Sequence, residues 1–166
     1  MIRRMIIITI IIFLTFSCEW EKVDNNADAT ITFNGITETT ANGELISQDK
    51  SDWKLQDNWN DKENSLFIDK KENFCIVDND NYSIISYPNP CNGIFKLYIS
   101  KPDECRLGFR IVDRNFNVLF SKDSIFSNEM GINLNEFGIS NDTVRMYYKF
   151  FGSDCELKGH GDIKIE

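Results

Sequence analysis

The chain has 166 residues, 42% of them hydrophobic and 27% charged, with a formal net charge of -8 at pH 7. A body this acidic repels phosphate backbones, whose binding depends on Lys and Arg, and it repels anionic lipid surfaces. Nucleic-acid binding and electrostatic spreading on membranes are therefore disfavoured, while the acidity itself selects no particular partner.

Arg3 and Arg4 precede an uncharged run, residues 5–16, that is apolar except for Thr9 and Thr15. The run is shorter than the roughly 20 residues a spanning helix needs. A short basic start followed by an apolar core of this length is the pattern of a secretory signal. The run ends in Leu14-Thr15-Phe16-Ser17-Cys18. This resembles a bacterial lipobox, where a cysteine thiol is acylated and the chain is cut before it; Ser17 is the small residue such sites prefer. The resemblance implies a signal peptide at 1–17 and lipidation, by palmitate-like chains, of Cys18. Two or more chains hold firmly, because each buried methylene contributes about 0.8 kcal/mol. On this reading Cys18 is a modification site and not a nucleophile, and the membrane is a partner through its acyl chains. Losing Arg3 and Arg4 makes the exported body still more acidic. Residues 18–28 are polar and read as a tether. Glu19 and Glu21 resemble the acidic residues that follow the modified cysteine in surface lipoproteins of the Bacteroidetes. The implied location is the outer membrane of a bacterial envelope, on its periplasmic or surface face.

Residues 29–70 read as an irregular N-terminal flank. Weak strand signals at 29–33 and 45–46 are bounded by Gly35 and Gly43, and 53–69 reads as a loop with one helical turn, since Asn58, Asn60 and Asn64 are poor helix-interior residues. Residues 71–166 read as a β-sandwich domain. Strands are expected at 74–77 and 82–87 around the turn 78–81, followed by an extended corner at Pro88-Asn89-Pro90. Residues 94–99 alternate Phe95, Leu97 and Ile99 against Ile94, Lys96 and Tyr98; 105–112 and 144–150 alternate likewise, with shorter strands at 116–120 and 162–165. A period of two with one wet face marks antiparallel sheets. Many short strands joined by Asn, Asp and Gly turns predict an all-β sandwich.

Tyr87-Pro88-Asn89-Pro90, Gly93-Ile94-Phe95, Ile111-Val112-Asp113 and Ile132-Asn133-Leu134 together resemble the C-terminal sorting domain of Bacteroidetes type IX secretion cargo, itself a small immunoglobulin-like β-sandwich. The resemblance covers residues 87–166 and implies fold rather than sorting activity.

No catalytic residues and no metal ligands are assigned, and no cofactor is expected. His160 stands between Gly159 and Gly161 and reads as an exposed loop residue with no second His or Cys nearby for zinc. Asp78-Asn79-Asp80-Asn81 has Ser83 and Asn89 where a calcium loop needs Gly and Glu. No nucleophile elbow or phosphate-cradling loop occurs. Cys75, Cys91, Cys105 and Cys155 are an even set in an exported chain, and so predict disulfides. A hairpin of 94–99 with 105–112 would put Cys91 and Cys105 at opposite ends, excluding that pair. Of the remaining pairings, Cys75–Cys91 with Cys105–Cys155 is favoured, and Cys75–Cys105 with Cys91–Cys155 stays open. Trp53, Trp59, Tyr82 and Tyr87 are the candidate ligand-contact aromatics, since exposed rings on a sandwich stack on sugars or anchor proteins. The leading function is a non-catalytic envelope lipoprotein that presents a β-sandwich for binding or assembly, with a glycan or an envelope protein as its partner. The alternatives are a carbohydrate-binding module in glycan capture and an enzyme with a carboxylate pair.

Overall fold

The computed structural model describes residues 30–55, 58–68, 81–152 and 156–166. The signal segment with Cys18, the strand expected at 74–77 with Cys75, positions 78–80 of the expected turn, and Cys155 lie outside the described residues. In chain order the elements are β1 (Glu38–Thr39), β2 (Leu45–Ser47), β3 (Lys54–Leu55), α1 (Asp61–Ser65), β4 (Ser83–Tyr87), β5 (Ile94–Ser100), β6 (Arg106–Val112), β7 (Val118–Ile125), β8 (Glu129–Asn133), β9 (Asp142–Phe151) and β10 (Glu156–Ile165), with a 3-10 turn at Asn135–Phe137.

Strands β4, β5 and β8 form one antiparallel sheet, and β3, β10, β9, β6 and β7, in that order, form the other. From β4 onward, the first, second and fifth strands share one sheet, and the third, fourth, sixth and seventh share the second. That division is the immunoglobulin-like one, as the resemblance of residues 87–166 implies. The inner faces supply one core. Phe95, Leu97 and Ile99 of β5 are buried against Leu107, Phe109 and Ile111 of β6, and against Val144, Met146, Tyr148 and Phe150 of β9. Strands β5 and β6 are consecutive but lie in different sheets, so the expected hairpin between them is corrected to a crossover. Its connection is fixed by Lys101 Nζ donating to Phe126 O and by Cys105 N–H donating to Pro102 O.

Along β6, β9 and β10 the five-stranded sheet is largely buried on both faces, while the edge strand β7 stays mostly exposed. The outer side of the sheet carries Val112 and Tyr147, which pack under Ile31, Trp59 and Phe67 of the flank. Under that second layer β9 is buried on both faces from Met146 to Phe151. Among these apolar groups Lys149 and Glu156 form a buried ion pair at 3.3 Å. Asn60 caps α1 in a reciprocal capping box with Glu63, and the same Glu63 accepts from the Tyr147 hydroxyl at 2.9 Å. The single turn of helix expected in this stretch is therefore capped at its N-terminus and tied to β9.

The flank also closes the β10 edge, where unpaired backbone groups would otherwise recruit another strand. Strand β3 pairs with Gly159 and His160. Trp53 N–H donates to His160 O, Asp52 Oδ1 accepts from Asp162 N–H, and the Asn89 amide donates to Asp162 O while accepting from Lys164 N–H. Cys91 completes the row by accepting from Glu166 N–H and donating to Lys164 O. The other edge, β7, is broken by two register shifts, and Ser124 has φ 58. Bulges and the charges of Lys122 and Asp123 suit an edge that stays unpaired.

Candidate functional site

With the outer face of the five-stranded sheet covered over its central strands, the outer face of the three-stranded sheet is the broader open one among the described residues. Alternation along β4, β5 and β8 builds it. Register places Ile85, Tyr98 and Glu129 in one row and Tyr87, Lys96 and Gly131 in the next, with Ile94 opposite Asn133 beyond. On central β5 the inward residues are sealed, while Ile94 is 50% and Tyr98 53% exposed. The Tyr87 hydroxyl donates to Glu129 Oε1 at 2.8 Å, and Lys96 Nζ reaches the same oxygen at 2.9 Å. Lys96 first, and then Tyr87, hold the Glu129 carboxyl below the usual range, and Glu129 in turn raises both partners. The Glu129 side chain is therefore an ionised acceptor at neutral pH. The turn of the β1–β2 hairpin lies against the Tyr87 ring, which a Cβ on Gly43 would meet at 3.5 Å, and the hairpin exposes Leu45 and Ile46.

The four aromatics singled out in the sequence do not converge. Trp59 is buried on the opposite side of the molecule, edge-on to Tyr147 at 5.4 Å, with Lys149 and Lys158 over its ring. Trp53 inserts between the sheets and stacks parallel to Tyr148 at 6.2 Å. Tyr82 packs on Phe150 and shares a 3.3 Å hydrogen bond with the Cys105 thiol. Trp53 and Tyr82 line one shallow cleft of about 210 Å³ together with Leu55, Ile84 and Tyr148. Its walls are core residues and strand backbone, and the Trp53 indole N–H is itself buried, out of a ligand's reach. Tyr87 alone of the four lies on the open face. Tyr98, which nothing in its sequence context sets above the other strand tyrosines, stands beside it.

The disulfide expectation is corrected for the two cysteines that are described: Cys91 and Cys105 are free, buried thiols. Cys91 sits in the edge of β10 and Cys105 against Tyr82, each committed to local packing as a small hydrophobe.

His160 is corrected too: it is part of β10 and half-buried, paired across the sheet with Tyr147. Burial first, with Arg145 second, lowers its pKa to about 4. Beside it lies a carboxylate pair, Asp52 and Asp162, of the kind an acid–base site would use. Both are buried and fully engaged. Asp52 accepts from Thr37 N–H at 2.8 Å and Asp162 N–H at 2.7 Å, and Asp162 holds Arg145 bidentately at 2.6 and 2.7 Å. Burial pushes Asp52 up to about 6. The pair ties the flank to β10. A wider depression of about 360 Å³ between Phe67, Arg106, Arg110, Asp123 and Phe151 is likewise committed, with Arg110 forked onto Asp123 and Arg106 over the Phe151 ring. Among the described residues no three His, Cys, Asp or Glu side chains are grouped to hold a metal ion.

No family model matches the chain, and no curated protein matches it. Among solved structures it is similar to a DUF3244 family protein with an immunoglobulin-like β-sandwich fold from Bacteroides vulgatus, at 14% identity over 69% of this chain and 98% of that one, with a TM-score of 0.38.

Proposed function

We propose that the protein is a non-catalytic lipoprotein of a bacterial envelope, anchored through Cys18 at the outer membrane, whose β-sandwich works as a binding or assembly module through the open face of its three-stranded sheet. The observation that carries this reading is the unequal treatment of the two sheets. The centre of the five-stranded sheet, at Val112 and Tyr147, is buried under the chain's own flank, while the three-stranded sheet leaves Ile94 and Tyr98 half exposed around a polar centre. The buried, hydrogen-bonded state of Asp52 and Asp162, the latter forked onto Arg145, supports a structural role for the groups that would otherwise suggest catalysis. The signal at 1–17 and the lipidated tether at 18–28 supply display. At no more than about 3.5 Å per residue, the tether gives the domain a reach of roughly 35 Å from the membrane.

The anchor is tested by growing cells with a fatty-acid analogue and comparing the wild type with Cys18→Ser. The wild type takes up label and fractionates with the outer membrane, and the variant does neither. Equal labelling of the two chains overturns the anchor.

A further inference from the structure

We infer that the open face of the three-stranded sheet binds an uncharged glycan chain, with the Tyr98 ring as stacking platform and Glu129 and Lys96 as partners for its hydroxyls. This rests on the reading of the domain as a binding module and names its ligand class.

A sugar ring has an apolar C–H face and a rim of hydroxyls. It therefore needs an exposed aromatic face, which carries partial negative charge, with charged hydrogen-bonding groups at its margin. Tyr98 is half exposed at the middle of the central strand and has Ile85 on one side and Glu129 on the other in the same row. Both bonds that Glu129 accepts fall on Oε1, and its side chain remains 53% exposed, so an ionised carboxylate is presented to a hydroxyl donor. Lys96, 60% exposed, adds donors from the next row. Beside Lys96 the sheet carries Gly131, where a Cβ would meet nothing within 4 Å. That missing side chain leaves a level floor along which a chain can continue from the platform.

The same observations speak against other occupants. The apolar residues Ile94 and Tyr98 are separated by Lys96, whose head is held in the middle of the face by Glu129. The face therefore lacks the continuous apolar centre from which charge is depleted in stable protein interfaces. A second copy would also bring together two bodies of formal charge -8, and polymers bearing phosphate or uronic acid meet the same repulsion. A neutral glycan meets none.

The test is native affinity electrophoresis of the full chain in detergent, through gels holding neutral polysaccharides (mixed-linkage β-glucan, xylan, galactomannan, starch) or an acidic one (polygalacturonate). At least one neutral polymer is expected to retard the wild type. Tyr98→Ala should weaken that retention by about tenfold, as for the loss of a stacking platform, and Glu129→Gln should weaken it less. An unchanged melting temperature in Tyr98→Ala separates loss of the platform from loss of the fold, and Tyr98→Phe, which keeps the ring, should retain binding if Tyr98→Ala proves unstable. Retardation by no neutral polymer, retardation equal in Tyr98→Ala, retention by the acidic polymer alone, or a concentration-dependent dimer lost in Tyr98→Ala each overturns the inference. Cys18 labelling on the same preparation is read separately, so failure of the ligand and failure of the anchor are distinguishable.

Discussion

The Trp53 indole occupies the space that a side chain on Gly161 would need: a Cβ at position 161 would fall within the ring system. Gly159, two residues earlier on the same inward face of β10, leaves similar room for the Lys54 carbonyl and the Tyr148 hydroxyl. The flank is thus keyed into the sandwich by two missing side chains. Trp53→Ala should cost about 2–4 kcal/mol, the range for emptying a large core site. Gly161→Ala should cost about 1–3 kcal/mol by overpacking. The double variant should be more stable than the sum of the two losses, because the added methyl enters the vacated slot. Urea denaturation followed by circular dichroism measures all three, and strict additivity would mean that the two residues do not share the space.

Asn89 should be the most sensitive polar residue of the fold. It is fully buried, donates to Thr37 O at 2.8 Å and Asp162 O at 2.9 Å, and accepts from Lys164 N–H at 3.0 Å. Asn89→Ala leaves three buried backbone groups without their partner and should cost about 3 kcal/mol or more. Asn89→Asp keeps the acceptor, loses both donors and adds a charge near Asp52 and Asp162. Its deficit should exceed that of Ala and widen as pH rises through the carboxylate range. A melting temperature within a few degrees of wild type for either variant would show that the Pro-Asn-Pro corner is not what secures the β10 edge.

Stability between pH 4 and 6.5 should hold two opposed contributions. Asp52 is raised by burial from 3.8 to about 6, so the folded chain binds its proton more readily. Its contribution is fully present below the unfolded value and is lost as pH rises through about 6. His160 is lowered by burial from 6.5 to about 4. Its contribution is present above the unfolded value and is lost as pH falls through about 4. Relative to wild type, Asp52→Asn should lose stability progressively on acidification from pH 6.5 to 4, and His160→Gln should gain. Chemical denaturation at four pH values in that window tests the signs, and parallel profiles for the two variants would contradict them.

Much of the architecture is legible in the sequence, wherever one face of a strand is wet. Strands β5, β6 and β9 follow from their alternation, and one helical turn is expected within 53–69, although the Asn60–Glu63 capping box that places it is seen only in the structure. Three features escape for physical reasons. Strand β8 has a single fully buried residue, Ile132, and carries Gly131, so its periodicity is too short to register. Gly159-His160-Gly161 reads as a loop because glycine weakens strands, whereas here the flank occupies the space its absent side chains leave. The crossover from β5 to β6 mimics a hairpin because sequence spacing carries no record of which sheet a strand joins. The working face was half visible: Tyr87 stood out, but preference for Tyr98 required knowing that the rival sheet is covered.

Cys91 and Cys105 should behave as protected thiols. Burial raises the Cys91 pKa, and both side chains are sealed from solvent. Iodoacetamide should modify them slowly in the native protein and rapidly in urea, without added reductant. Peptide mapping that recovers either one in a bridged peptide would contradict the free state.

The central claim, that the three-stranded face is the surface the protein uses, is tested most directly in living cells. The same photoreactive residue is placed at position 94, on the open face beside the proposed platform, and at position 65, exposed on the helix of the opposite side. Illumination should yield a high-mass adduct from position 94 and none from position 65. Identical adducts from both positions, or an adduct from position 65 alone, would place the working surface elsewhere.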